Sequence, residues 1–200
     1  TTYHPFSVAK RSKVQFDITS IGKKHEKVGV YIEKNVNGRW KKVGYSTTVK
    51  PDKYDSIVLY GLEAGKYRLA LKTPKDQIIN VEYTRDKSKK KAAYKKSKAI
   101  NLKSDIDSIY TSTEKAARWY KVSVSSTKKR KAVTLSKDSV GGGFKFRVYQ
   151  KGKRLKTVRV TKNDKVKTVK LPKKKGTYYV KVTKLTSKTT GAYYLGTYTY

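Results

Sequence analysis

The chain of 200 residues has no cysteine, which excludes disulfide bridges and thiolate chemistry alike. A small domain without that staple must build a real hydrophobic core. Histidine is nearly absent, with His4 and His25 alone. Acids are scarce: 14 Asp and Glu stand against 50 Lys and Arg, for a net charge of +36. No apolar run approaches the roughly 20 residues that a membrane-spanning helix needs. No secretion signal is legible, and the chain opens Thr1-Thr2-Tyr3 without Met, so a mature form or a cut fragment is expected.

These scarcities narrow the chemistry. Two histidines without a His-x-x-x-His spacing or a carboxylate-rich neighbourhood do not make a zinc site. No nucleophile elbow is present. Gly141-Gly142-Gly143 lacks a following Gly-Lys-Ser/Thr and leads into a strand, so it reads as a flexible turn or bulge and not as a phosphate loop. Asp105-x-Asp107 with Glu114 is the best cation cluster. Calcium wants about six to eight oxygens, however, and turn-capping is the better reading of these acids. Asp52 and Asp55 flank Tyr54, and Glu63 stands just before Gly65; these read as loop residues and not as a glycosidase pair. No catalytic residue, metal or cofactor is expected, and the chain does not read as an enzyme.

What the chain does have is 17 tyrosines among abundant Val and Thr, residues suited to a pleated, half-buried sheet. Apolar residues recur at period two: Phe6 and Val8; Val14, Phe16 and Ile18; Val28, Val30 and Ile32; Tyr67, Leu69 and Leu71; Ile79, Val81 and Tyr83. Asn37-Gly38 supplies a hairpin turn, with Trp40 and Val43 on the return strand. After the basic stretch 86–98 the pattern resumes at Ile100 and Leu102. Residues 103–117 read as polar and irregular. Strands follow at Tyr120, Val122 and Val124; Val133 and Leu135; Phe144, Phe146 and Val148; Leu155 to Val160; Val166 to Leu171; Tyr178 to Val182; and Tyr193 to Leu195.

The halves repeat one another. Val30 to Val43, across Asn37-Gly38, matches Phe146 to Val158, across Lys151-Gly152. Tyr60-x-Leu62 with Gly65-x-Tyr67-x-Leu69-x-Leu71 matches Val169-x-Leu171 with Gly176-x-Tyr178-x-Val180-x-Val182. Asn80 to Tyr83 matches Tyr193 to Leu195. The stretch Ala99–Ala117 has no counterpart in the first half. Many short strands with frequent turns predict an all-β protein of two tandem antiparallel β-sandwich (jelly-roll-like) domains. The expected division is residues 1–85, a basic linker 86–98, and residues 99–200.

The second half resembles the bacterial pre-peptidase C-terminal domain. The resemblance rests on Trp119-Tyr120-Lys121-Val122, Gly176-Thr177-Tyr178-Tyr179-Val180-Lys181-Val182 and Gly191-Ala192-Tyr193-Tyr194-Leu195, within residues 97–200. Residues 1–84 match more loosely, at Gly65-Lys66-Tyr67. The resemblance implies a jelly-roll-like sandwich that serves as an accessory of a secreted or surface bacterial protein. The place before the Trp-Tyr pair, often acidic in the family, holds Arg118, and acidic loops are sparse. Calcium and collagen binding are therefore not carried over.

Charge is uneven: residues 1–85 carry 17 basic and 8 acidic side chains, and residues 99–200 carry 26 and 5. A chain so basic attracts polyanions. If Tyr178, Val180, Val182, Tyr193 and Leu195 point inward, then Tyr179, Tyr194, Tyr198 and Tyr200 point outward, with Tyr179 and Tyr194 as neighbours on a lysine-studded face. Lys128-Lys129-Arg130-Lys131 and Lys173-Lys174-Lys175 sit in turns. These eleven residues are the candidate ligand contacts, against the alternatives that the tyrosines only pair across strands and that edge lysines only prevent aggregation. The expected function is that of a non-catalytic extracellular or cell-surface module of a larger bacterial protein, held electrostatically to an anionic polymer such as wall polymer or host glycan. A nucleic-acid binder and a purely structural spacer are the alternatives.

Overall fold

A computed structural model describes residues 1–200 except 22–25, 52–55, 88–91, 104–105, 140, 162 and 165. His25, Asp52, Tyr54, Asp55 and Asp105 thus lie outside the described residues. The first half contains β1 (Thr2–Val8), β2 (Ser12–Ile21), β3 (Val28–Val36), β4 (Arg39–Val49), β5 (Ser56–Leu62), β6 (Gly65–Lys72) and β7 (Ile78–Lys87). The second contains β8 (Ile100–Asn101), β9 (Ile106–Tyr110), β10 (Arg118–Val124), β11 (Lys131–Asp138), β12 (Phe144–Gln150), β13 (Lys153–Val160), β14 (Val166–Lys170), β15 (Gly176–Lys184) and β16 (Gly191–Thr199). A single 3-10 turn, Lys96–Lys98, is the helical content among the described residues.

Four sheets form two antiparallel sandwiches. In the first, β1-β6-β3-β4 faces β5-β2-β7; in the second, β13-β12-β15-β10-β8 faces β14-β11-β16-β9. Superimposed in chain order, β1 to β7 take the places of β10 to β16. The pairings agree throughout: β6 lies between β1 and β3 as β15 lies between β10 and β12, and β2 lies between β5 and β7 as β11 lies between β14 and β16. The additions in the second sandwich are β8, parallel beside β10, and β9, antiparallel beside β16. Both come from the stretch without a counterpart.

Period-two alternation places one row of each strand inside. Val14, Phe16 and Ile18 face Val30, Ile32, Leu69 and Leu71 in one core, and Phe144, Phe146, Val180, Val182, Tyr193 and Leu195 meet in the other. Burying one such side chain stabilises by about 1.5–3 kcal/mol, which is how a cysteine-free chain holds. The β3–β4 and β12–β13 hairpins both turn on two consecutive residues of positive φ, Asn37 (52°) with Gly38 (80°), and Lys151 (46°) with Gly152 (79°). Two such residues give the turn whose twist matches the flanking strands.

The sequence reading needs correction over 103–117, where β9 replaces an irregular segment. Its inward row, Ile106, Ser108 and Tyr110, is interrupted by a serine, and the alternate Ile109 is buried too, so the strand carries no alternation to read.

The cores are rich in buried tyrosine. Tyr120 and Tyr193 hydroxyls hydrogen-bond one another, and Ser108 bonds Tyr120 at 3.0 Å. The Tyr110 hydroxyl donates to Ala116 O at 2.9 Å, and that of Tyr60 to Tyr45 O at 3.0 Å. Burial raises the pKa of Tyr60, Tyr67, Tyr110 and Tyr193 above tyrosine's ordinary 10.0. A raised folded-state value means that the contribution of these groups is complete below pH 10.0 and is lost as the pH climbs toward the folded value. Stability is therefore expected to fall progressively above about pH 10. Loss of lysine charge over the same range relieves repulsion and works the other way. Tyrosinate absorbance in an alkaline titration separates the two: for these tyrosines it should rise together with unfolding and not ahead of it.

The sandwiches meet along a seam of glycine and threonine. Gly61 N donates to Thr190 Oγ1 at 3.0 Å, and the Thr190 hydroxyl contacts Gly61 O in return. Tyr45 of β4 lies against Gly141 and Gly142, with its hydroxyl 2.9 Å from Thr186 Oγ1. Gly141 and Gly142 are thus a seat for a tyrosine of the other sandwich, where the sequence suggested a flexible turn or bulge. Beside it, Arg11 reaches Glu63 at 3.4 Å and Glu114 at 3.3 Å, while Glu63 accepts hydrogen bonds from Thr111 and Thr113.

Candidate functional site

The outward rows of the two large sheets carry both tryptophans. On the first sandwich Trp40 of β4 is 36% exposed and Tyr3 of β1 46%. Arg68 of β6 lies between them, its guanidinium carbon 3.9 Å from the Tyr3 ring centre and 4.4 Å from that of Trp40. Strand register explains the grouping: Arg68 is opposite Glu33, which is opposite Lys42, so their side chains share one face. Arg68 Nε donates to Glu33 Oε2 at 2.7 Å, and Lys42 Nζ stands 4.2 Å from the Tyr31 ring centre. Glu33 thus neutralises Arg68 on this platform.

The equivalent face of the second sandwich differs in charge. Trp119 of β10 is opposite Lys181 of β15, which is opposite Arg147 of β12; one row along, Lys121, Tyr179 and Tyr149 stand side by side. The Trp119 and Tyr149 rings are 5.7 Å apart, Lys181 Nζ is 5.2 Å from Trp119, and Lys96 Nζ from the 3-10 turn is 4.6 Å from Tyr179. Each of these distances lies within cation–π or ring-contact range. β10, β12, β13 and β15 contain no Asp or Glu at all. The crowding registers on Lys145, whose pKa is lowered chiefly by Arg147, then by partial burial and by Arg159. An unneutralised row of cations beside half-buried aromatic rings can hold an anion and pack against the unit that bears it.

The eleven candidate contacts separate into three places. Tyr179 belongs to this platform. Tyr194 lies on β16, in the opposite sheet, so Tyr179 and Tyr194 are not neighbours. Strands β15 and β16 are consecutive in chain but belong to different layers, and sequence spacing cannot show that. Tyr194 is held at the seam, where its hydroxyl accepts from Lys13 Nζ at 3.1 Å. The remaining nine gather at one end of the second sandwich. Tyr198 and Tyr200 rings are 5.8 Å apart, and Lys170 Nζ is 5.2 Å from Tyr200. Arg130 and Tyr200 exchange backbone hydrogen bonds of 3.0 and 2.9 Å. Lys131 O accepts from Leu171 N at 2.8 Å, which brings Lys128 to Lys131 beside the turn of Lys173 to Lys175.

Trp119, Tyr149, Lys145, Arg147, Arg159 and Lys181 of this face were not among the candidate contacts read from the sequence. A signal existed: all but Arg159 occupy the alternate position on a strand whose other row is mainly apolar, and no acid interrupts those strands. Arg118, the departure from the family pattern, faces inward and pairs with Glu114 through Nε to Oε1 at 3.0 Å and Nη2 to Oε2 at 2.8 Å. Glu114 is thereby used. Asp107 lies 4.0 Å from Lys13, and among the described residues no three His, Asp or Glu side chains gather as a metal ion requires. Among the same residues no helix is long and apolar enough to cross a membrane.

Comparison with protein-family models and with curated proteins yields no match. Among solved structures, the chain is similar to the pre-peptidase C-terminal domain of a Bacillus anthracis collagenase, with TM-score 0.39 and 17% identity over 50% of this chain and 92% of that one. Tripeptidyl peptidase 2 matches with TM-score 0.36 and 8% identity over 99% of this chain and 22% of that one. The CBM22-1–CBM22-2 tandem of Paenibacillus barcinonensis Xyn10C matches with TM-score 0.31 and 8% identity over 96% and 80%.

Proposed function

We propose that the chain is a non-catalytic, extracellular or cell-surface binding module of a larger protein, made of two sandwich domains, 1–85 and 99–200, joined through 86–98. It binds an acidic polymer of wall or glycan type on the Trp119–Tyr149 face of the second domain. The observation that carries this reading is the combination on one face of two aromatic rings in tilted contact, Trp119 and Tyr149, with Lys121, Lys145, Arg147, Lys181 and Arg159 on strands free of acids. The rings take the faces of sugar units and the cations take their carboxylate, sulfate or phosphate groups. The basic end around Lys128–Lys131, Lys173–Lys175, Tyr198 and Tyr200 extends the positive field that draws the polymer in.

The test is a binding titration with an acidic polysaccharide at two salt concentrations. For four or five neutralised anions, an about fourfold rise in salt should lower the affinity roughly hundredfold. Trp119→Ala should cost about 1–2 kcal/mol by removing the aromatic surface, whereas a neutral polysaccharide should not bind measurably. Salt-independent binding would remove the electrostatic part of the reading. Tighter binding of a single-stranded nucleic acid of equal charge would favour the nucleic-acid alternative.

A further inference from the structure

The internal repeat exposes a gap. In the second sandwich β16 is flanked on both sides, by β11 and by β9. Its inward residues Tyr193 and Leu195 are fully buried, and β9 closes the layer with Ile106 and Tyr110. In the first sandwich β7 stands in the place of β16. Among the described residues β7 pairs with β2 alone, over all ten of its residues. Its inward row is correspondingly uncovered: Ile79 and Val81 are half-exposed, and Tyr83 is 46% exposed although its ring lies against Phe6 and Phe16.

Three other free edges are guarded. β4 presents Arg39, Lys41 and Lys42; β13 presents Lys153, Arg154, Lys156 and Arg159; β1 is interrupted by Pro5. Lysine, arginine and proline on an edge discourage a further strand. β7 reads Ile-Ile-Asn-Val-Glu-Tyr-Thr-Arg-Asp-Lys: no proline, no glycine, and two acids that balance its two cations. Its cations, Arg85 and Lys87, stand at the C-terminal end, so the edge from Ile78 to Tyr83 lacks the lysine, arginine or proline that guards β4, β13 and β1.

We propose that β7 accepts an added strand: an extended peptide segment, laid antiparallel along β7 as β9 lies along β16. The repeat defines its chemistry. The inward positions carry an aliphatic side chain, a small hydroxyl and an aromatic at successive alternate places, the pattern of Ile106, Ser108 and Tyr110. These cover Val81 and Tyr83 and complete the Phe6–Phe16–Tyr83 cluster. The outward positions are neutral or acidic, as Asp107 is in β9, because a cationic segment would be repelled by a chain of net charge +36. Main-chain hydrogen bonds supply the affinity and the alternate side chains the selectivity, as in other strand-addition sites.

The experiment uses the whole chain and a synthetic peptide copying Ile100 to Thr111, with a scrambled peptide of the same composition as control. Amide hydrogen exchange along β7 should slow by about tenfold or more at saturating peptide, and exchange along β13 should not change. Tyr83→Lys, which places an inward charge at the edge, should abolish the protection; circular dichroism checks that the variant remains folded. Protection by the scrambled peptide, protection elsewhere, or none at all would overturn the proposal. So would concentration-dependent self-association that itself protects β7, since a second copy would then be the occupant.

Discussion

Replacing Arg118 with leucine should lower the unfolding free energy by about 3–5 kcal/mol, because it leaves Glu114 buried without its main partner. Arg118 is 3% exposed. It makes two hydrogen bonds to the Glu114 carboxylate, a third to Ile109 O, and packs 4.0 Å from the Tyr110 ring centre. Arg11 remains 3.3 Å from Glu114 in the variant and offsets part of the loss. The design separates charge from shape. Arg118→Leu with Glu114→Leu removes both ions together and should recover much of the stability, since a buried pair is costly to break and cheap to replace whole. Denaturant unfolding of the two variants gives the answer; equal losses in both would mean that packing around the Arg118 stem, and not the ion pair, dominates.

Gly61→Val should open the seam. A Cβ at Gly61 would lie 2.2 Å from Tyr110 O and 2.9 Å from Gly191 O, both backbone atoms of the second sandwich that cannot swing aside. The two Gly61–Thr190 hydrogen bonds would be lost with the contact. The expected cost is about 3 kcal/mol, at the upper end for overpacking, and it falls on the coupling between sandwiches more than on either core. Calorimetry should therefore change from one cooperative transition to two, with a larger radius of gyration in solution scattering. A single transition at lower temperature would show instead that Gly61 matters to one sandwich only.

Much of the fold was legible because period-two rows and glycine turns are local. The match of β3–β4 with β12–β13, and of β5–β6 with β14–β15, follows from Asn37-Gly38, Lys151-Gly152, Gly65 and Gly176 standing in the same order at similar intervals. Strand order was not legible, since it depends on which layers consecutive strands join. That is why Tyr194 was placed beside Tyr179, and why Trp119, Tyr149 and Arg147, brought together by the order β10-β15-β12, were not read as one surface. The seam was hidden for another reason. A glycine that admits a foreign backbone, such as Gly61, or a foreign ring, such as Gly141, looks in sequence like any turn glycine.

The most direct test of the binding account is a lysine footprint. The protein is mixed with a saturating acidic polysaccharide, treated briefly with an acetylating reagent, and digested for mass spectrometry. Lys121, Lys145 and Lys181 should be protected strongly relative to the free protein, and Lys96 with them, while Lys41 and Lys72 of the first sandwich remain reactive. Protection spread evenly over all lysines, or confined to the first sandwich, would contradict a binding face built around Trp119 and Tyr149.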